Sequence, residues 1–140
     1  MILDPLQRTR ALYRWEREEL GAAQARMQIP HKSLRVYAKT FWDHKIAWNY
    51  RRTWMRCPYV EIGAGFQGCS VTSGLSHIAI RPDECNVITL LHELTHARGF
   101  GTEANPHTAG FTRMYINALS TFCRFKREDL EAQAMMRGLL

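Results

Sequence analysis

The chain has 140 residues, 46% of them apolar and 23% charged, which is the size of one domain with material for a modest core. No apolar run approaches a membrane span, and the opening MILDPLQRTR, broken early by Asp4 and Pro5, lacks the form of a secretory leader. These features predict a cytoplasmic protein with no membrane partner.

The net charge is +6, with a local cluster at Arg51, Arg52 and Arg56. Such a balance allows an acidic partner such as nucleic acid, but no nucleic-acid motif accompanies it, and a solvated basic face is the favoured reading. Cys57, Cys69, Cys85 and Cys123 form no C-x-x-C pair, so a Cys-rich zinc site has no local support. In a reducing compartment they are expected to be small buried hydrophobes, with a Cys57–Cys69 disulfide as the minor alternative.

Asp4 and Pro5 form an N-cap and N1 pair, opening a helix over about residues 5–27. Leu6, Tyr13, Leu20 and Met27 recur at heptad spacing along it, with Ala23 between them. Ser33 is placed to cap a second helix carrying Leu34, Tyr37, Ala38, Phe41, Lys45 and Trp48 on one face, Lys45 being its flaw. The tryptophans Trp42, Trp48 and Trp54 and the nearby Tyr50 are expected in core and domain surface rather than as a base-stacking platform.

From Cys57 to Arg81 the segments YVEIG, GCSVTS and SHIAIRP are short, rich in β-branched residues and separated by Gly and Ser. They predict two or three strands, the last two joined as a hairpin through Ser73, Gly74 and Leu75. A helix is expected from Asp83 or Glu84 to Arg98, with Val87, Leu90, Leu91 and Leu94 facing the core and Gly99 ending it. Asn105 and Pro106 again suggest an N-cap and N1 pair, for a helix running to about Phe125 with Phe111, Met114, Tyr115, Ala118, Leu119 and Phe122 on its apolar face. A short helix in REDLEAQAMMRGLL closes an α+β chain.

The segment LLHELTHARGFG carries the pattern H-E-x-x-H at His92, Glu93 and His96. One helical turn separates the two histidines, so both imidazoles can grip one ion, and Zn2+ takes imidazole nitrogen well. Glu93, rotated by roughly 100° from His92, can stand beside the metal without ligating it, as a general base requires. A catalytic zinc site generally needs a third protein ligand. The metzincin continuation is excluded, because Thr102 stands where its last histidine would be. His107 is favoured as the third ligand, on an imidazole held at a helix start, with Glu103 as the alternative. His77, on the strand before the motif helix, is a weak candidate for touching substrate. Tyr115 and His77 are the candidates for stabilising an oxyanion.

The stretch LLHELTHARGFGTEANPHTAGFTRMYINAL resembles the small HExxH zinc metallohydrolases of actinobacteria and their phages, and more distantly the SprT-type zinc metallopeptidases. In those families H-E-L-x-H is followed, after a short loop, by H-G-x-x-F and an aromatic-rich helix. His107, Phe111 and Tyr115 match that pattern, and Thr108 stands where the family usually has Gly. LQRTRALYRWERE and IAIRPDE are similar to the family's opening segment and to its strand before the motif helix. The resemblance implies a single zincin-like domain over residues 1–140, with helices packed on a sheet of two to four strands and SHIAI as an edge strand beside the cleft. It implies zinc on His92, His96 and His107 with Glu93 as the base; the expected function is a zinc-dependent peptidase, with a peptide or protein as substrate. The alternative function is a non-enzymatic zincin-fold module, docked in a larger viral assembly or associated with nucleic acid. An open cleft would favour the enzyme and a plugged site the module.

Overall fold

The computed structural model describes residues 2–50, 54–65, 71–73 and 76–140. Arg51, Arg52 and Cys69 lie outside them, and with them most of the basic cluster and one partner of the disulfide alternative. Arg56 is exposed, and Cys57, Cys85 and Cys123 are free thiols. Among the described residues no helix is long and apolar enough to cross a membrane.

The first helical arm has three parts: α1 (Pro5–Trp15), a π-helical segment (Glu16–Leu20) and α2 (Gly21–Arg26). Its start is a capping box: Asp4 Oδ1 accepts from the Gln7 amide at 2.8 Å, and Gln7 Oε1 accepts from the Asp4 amide at 3.0 Å. The expected heptad face is corrected. Leu6 and Tyr13 are exposed, and the buried stripe is Leu12, Trp15, Glu16, Leu20 and Ala23. The reason is the wide π turn, whose i→i+5 spacing breaks the phase that a regular repeat assumes. It also turns an acid, Glu16, into the interior.

A 3-10 turn (His31–Ser33) leads into α3 (Leu34–Trp42), which buries Leu34, Ala38 and Trp42. Ser33 makes no side-chain cap, and the helix stops at Trp42 rather than running on to Trp48. Trp48 reaches the core from a separate turn (Ile46–Trp48), donating its indole N–H to the Phe41 carbonyl at 2.8 Å. Lys45 is thereby released to solvent. The tryptophans divide: Trp42 and Trp48 are buried, whereas Trp54 is exposed.

Three strands, β1 (Tyr59–Ile62), β2 (Val71–Ser73) and β3 (His77–Ile80), form a mixed sheet in the order β1-β3-β2. β1 runs parallel to β3 with Tyr59 opposite His77, and β2 runs antiparallel to β3 with Ser73 opposite His77. The SHIAI segment is therefore the central strand, not the edge. Its Ile78, Ala79 and Ile80 are buried, as a central strand between two partners demands, and β2 is the edge strand on the side of the motif helix.

The motif helix α4 (Val87–Ala97) begins later than Asp83 or Glu84, because Pro82–Glu84 form their own 3-10 turn. Asn86 supplies the cap, its side-chain oxygen accepting from the Thr89 amide at 2.8 Å. The other end closes as a Schellman motif: Gly99, at φ 91°, donates to the His96 carbonyl at 2.9 Å, and Phe100 donates to the Thr95 carbonyl at 3.4 Å. Val87, Leu90, Leu91 and Leu94 face the core as expected, but every residue from Val87 to Thr95 is buried. Arg98 fastens the end of this helix. Its guanidinium lies 3.6 Å from the Trp42 ring centroid and donates to the Trp42 carbonyl.

The next helix, α5 (Ala109–Phe122), starts three residues beyond Pro106 and ends before Phe125. Asn105 is not its cap. Asn105 and Thr102 instead close the preceding loop on itself, through Asn105 N–H to Thr102 Oγ1 and Thr102 N–H to the Asn105 carbonyl, both at 3.0 Å. Thr108 caps α5, accepting from the Phe111 amide at 3.1 Å. The last helix, α6 (Arg127–Met136), packs on α5 and on the first arm, where Trp15 Nε1 donates to Gln133 Oε1 at 2.9 Å. The result is an α+β arrangement in which α4 lies between the sheet, the first helical arm and α5.

Candidate metal centre

His92 and His96 project from α4 one turn apart, and the loop between α4 and α5 returns His107 to them. One ligating nitrogen from each of the three lies within 4.8 Å of the others. Glu103 is not part of this group; it is exposed on the loop, at the rim of the adjoining cavity. His107 sits in the loop, two residues before the first residue of α5, rather than at a helix start.

The loop holds that position through its glycines. Gly101 has φ 82°, and a Cβ built there would lie 2.0 Å from the Pro106 carbonyl oxygen. Only a residue without a side chain permits that approach. The residue before His107 is thus packed against a backbone that no other amino acid could supply.

Each imidazole is also gripped from behind. His92 Nδ1 lies 2.8 Å from Glu16 Oε2, His96 Nδ1 lies 3.4 Å from the Phe100 carbonyl, and His107 Nδ1 lies 2.9 Å from Thr9 Oγ1. A carboxylate and a carbonyl accept only, so His92 and His96 carry a proton on Nδ1 and present Nε2 to the cluster. The Nε2 atoms of His92 and His107 are 3.3 Å apart. Two nitrogens bound to one tetrahedral ion at about 2.0–2.1 Å stand roughly 3.3 Å apart, so this pair already has the spacing of shared ligands. The donor set, its spacing and the outer hydrogen bonds all fit a metal ion.

Glu16 is itself held. Tyr115 donates its hydroxyl to Glu16 Oε2 at 2.6 Å, and both side chains are buried. Tyr115 is therefore committed to the support of His92, and it does not line the cavity. This corrects its expected role beside an oxyanion. His77 is corrected likewise: it stacks on Tyr59 and pairs with Glu61 at 3.3 Å, away from the cluster.

Glu93 stands beside the cluster without joining it. Thr72 of the edge strand β2 donates to Glu93 Oε1 at 2.8 Å and lies 3.0 Å from the Glu93 carbonyl. The other carboxylate oxygen is 3.8 Å from His92 Nε2. Burial pushes the Glu93 carboxyl up to about 7, against the opposing pull of His92 and Thr72.

The histidines are driven apart electrostatically. Burial alone would lower His92, but the charge and hydrogen bond of Glu16 outweigh it and raise the group to about 9. Burial and the neighbouring His92 lower His96 to about 3 and His107 to about 2. Two of the three are thus neutral imidazoles across ordinary pH, and the third carries a proton that a metal would displace.

A cavity of about 670 Å³ opens over the cluster, lined by all three histidines, Glu93, Thr72, Tyr13 and the loop. Tyr13 stacks on His92 with ring centroids 6.1 Å apart and meets His107 edge-on at 5.6 Å. Sequence reasoning had placed Tyr13 in a core stripe, and it offered no signal for Thr9, Glu16 or Thr72. Glu16 lies in EREEL, a run that reads as a solvated face. Compared with known proteins, the chain matches no family model, no curated protein and no solved structure.

Proposed function

We propose that this chain is a zinc-dependent metallopeptidase, with His92, His96 and His107 as the zinc ligands and Glu93 as the general base. The observation that carries the reading is the convergence of three back-bonded imidazoles beside a carboxylate that is close to them but not among them. A structural metal site has no need of Glu93 in that place. The resemblance of the H-E-x-x-H to His107 segment to zincin metallohydrolases supports the same reading, as does a cavity open to a substrate.

A bound zinc would supply a Lewis acid for the scissile carbonyl and lower the pKa of water to about 7. The chain's residues do the rest. Thr72 fixes one Glu93 oxygen, so the other is aimed at the cluster and takes the proton from the attacking water. Glu93 then returns that proton to the departing amine. Glu16 and Tyr115 keep His92 in the tautomer that presents Nε2. β2, the edge strand beside Glu93 among the described residues, is where an extended peptide would add by backbone hydrogen bonds; this replaces SHIAI in that role. A reducing cytoplasm is the proposed setting; burial keeps the thiols protonated, with Cys57 pushed up to about 11 and Cys123 to about 12.

The test is substrate profiling of a host proteome with wild type and Glu93→Gln, alongside metal analysis of both. New peptide termini with wild type alone, at equal zinc content, are the expected result. Identical termini profiles would leave the non-enzymatic module as the better reading.

A further inference from the structure

A second cavity, of about 260 Å³, adjoins the first at Tyr13. It shares Tyr13, His92 and Glu93 with the larger one, so both open on the same carboxylate and the same imidazole. Its walls come from the first helical arm, through Gly21, Arg17 and Gln24, from Glu84 of the 3-10 turn before α4, and from Thr89 in the first turn of α4. A space of this size suits one side chain rather than a whole ligand.

Gly21 is the informative residue. Its backbone is ordinary right-handed helix, φ −59° and ψ −41°, so nothing conformational requires glycine. A Cβ placed there would meet nothing within 4 Å, so no packing requires it either. Glycine inside a helix destabilises it relative to alanine. Neither of these reasons for a helical glycine applies here, and the position borders this cavity. The π segment before it sets the arm's register there, burying Glu16 against His92 and bringing Gly21 to the cavity wall.

We propose that the cavity bounded by Tyr13 and Gly21 is a subsite for one long, polar-tipped side chain of the peptide substrate, and that Gly21 determines what it admits. The inference rests on the metallopeptidase reading and deepens it. The stem of such a side chain would run past Tyr13 and Gly21, and its tip would meet the polar side chains of Gln24, Thr89, Arg17 and Glu84.

The experiment uses the zinc-loaded full chain as wild type, Gly21→Ala and Gly21→Leu. Zinc content and melting temperature are measured first. Both variants should hold zinc, and Gly21→Ala should melt at or above the wild-type temperature. A randomised peptide library, read by mass spectrometry, then reports the residues flanking each cut. Wild type should favour long polar residues at one position beside the cut, and Gly21→Leu should shift that position alone toward small residues. In parallel, acetohydroxamate and the monohydroxamate monoamide of adipic acid, a chain ending in an amide, are titrated as probes. Gly21→Leu should weaken the long probe by about tenfold or more and leave acetohydroxamate unchanged. A folded, zinc-loaded Gly21→Leu with wild-type cleavage preference and wild-type affinity for both probes overturns the subsite. Wild type that binds the probes but cuts no peptide sinks the peptidase reading separately. The hydroxamate comparison then decides whether the cavity is a side-chain site: selective loss of the long probe upholds it, and equal affinities overturn it. If Gly21→Leu fails to fold, Gly21→Ala and Gln24→Trp carry the same comparison, the second narrowing the cavity from its other wall.

Discussion

His92 and His96 stand one turn apart on a single buried helix, whereas His107 reaches the same point from a loop. The first pair is set by helix geometry and needs only that α4 form. The place of His107 depends on three separate things: a Schellman turn at Gly99, a Gly101 pressed against the Pro106 carbonyl, and a hydroxyl, Thr9, offered from the far end of the chain. A three-histidine cluster of this kind is part local and part tertiary, and its two parts should fail differently.

Glu93→Gln gives the largest effect expected. It removes the base and leaves all three ligands, so turnover should fall by roughly 10²–10⁴-fold with zinc content unchanged. Peptide hydrolysis and metal analysis on the same preparation check this; loss of zinc along with activity would make Glu93 a ligand or a folding residue instead.

His107→Ala separates the two halves of the site. Losing a ligand should cost more zinc affinity than the roughly 10–100-fold typical of an outer partner, while α4 stays helical. Chelator competition reads the affinity and far-ultraviolet circular dichroism the helix. Unchanged affinity would remove His107 from the centre and promote Glu103.

Gly101→Ala attacks the loop without touching a ligand. A residue with a side chain at φ 82° costs about 1–3 kcal/mol in backbone strain alone, and here its Cβ also meets the Pro106 carbonyl. The loop should give way before the helices do, weakening zinc binding with the His92–His96 pair still in place. Hydrogen exchange should rise over residues 99–107 and not over α4. Uniform loosening of both would show that loop and helix are one cooperative unit.

Glu16→Gln yields the smallest and most specific change. A proton on His92 competes with the metal below about pH 9, so wild-type zinc affinity should rise about tenfold per pH unit and level off near that value. Without the carboxylate, His92 loses the partner that raised it, and the levelling should move to lower pH. Above the plateau the variant should bind zinc roughly 10–100-fold more weakly, from the lost outer bond. Superimposable pH profiles would mean that Glu16 does not govern His92.

Much was legible along the chain. The Asp4 and Pro5 start, the α4 core stripe, the hairpin of β2 and β3 and the one-turn spacing of His92 and His96 all follow from contacts within a few residues, where spacing and backbone chemistry decide the outcome. His107 was found because it was the one histidine soon after the motif, although its expected helix start proved to be a loop. The heptad face through Tyr13 and the edge position of SHIAI were misread for a common reason. Helix phase past a π turn and strand order in a sheet depend on what packs from elsewhere, and no periodicity records that.

The sequence by itself determined the chemistry on offer: two imidazoles at one-turn spacing, a carboxylate between them and a helix able to present all three. Only the tertiary structure decided which distant groups complete the centre. Glu16 sits 76 residues before His92, and Thr9 sits 98 before His107. Such partners carry no signature, since an acid in a charged run looks like any solvated acid until burial forces it to find a hydrogen bond. The packing of the first helical arm over α4 makes that demand, and it turns an ordinary glutamate and threonine into the support of a three-histidine cluster.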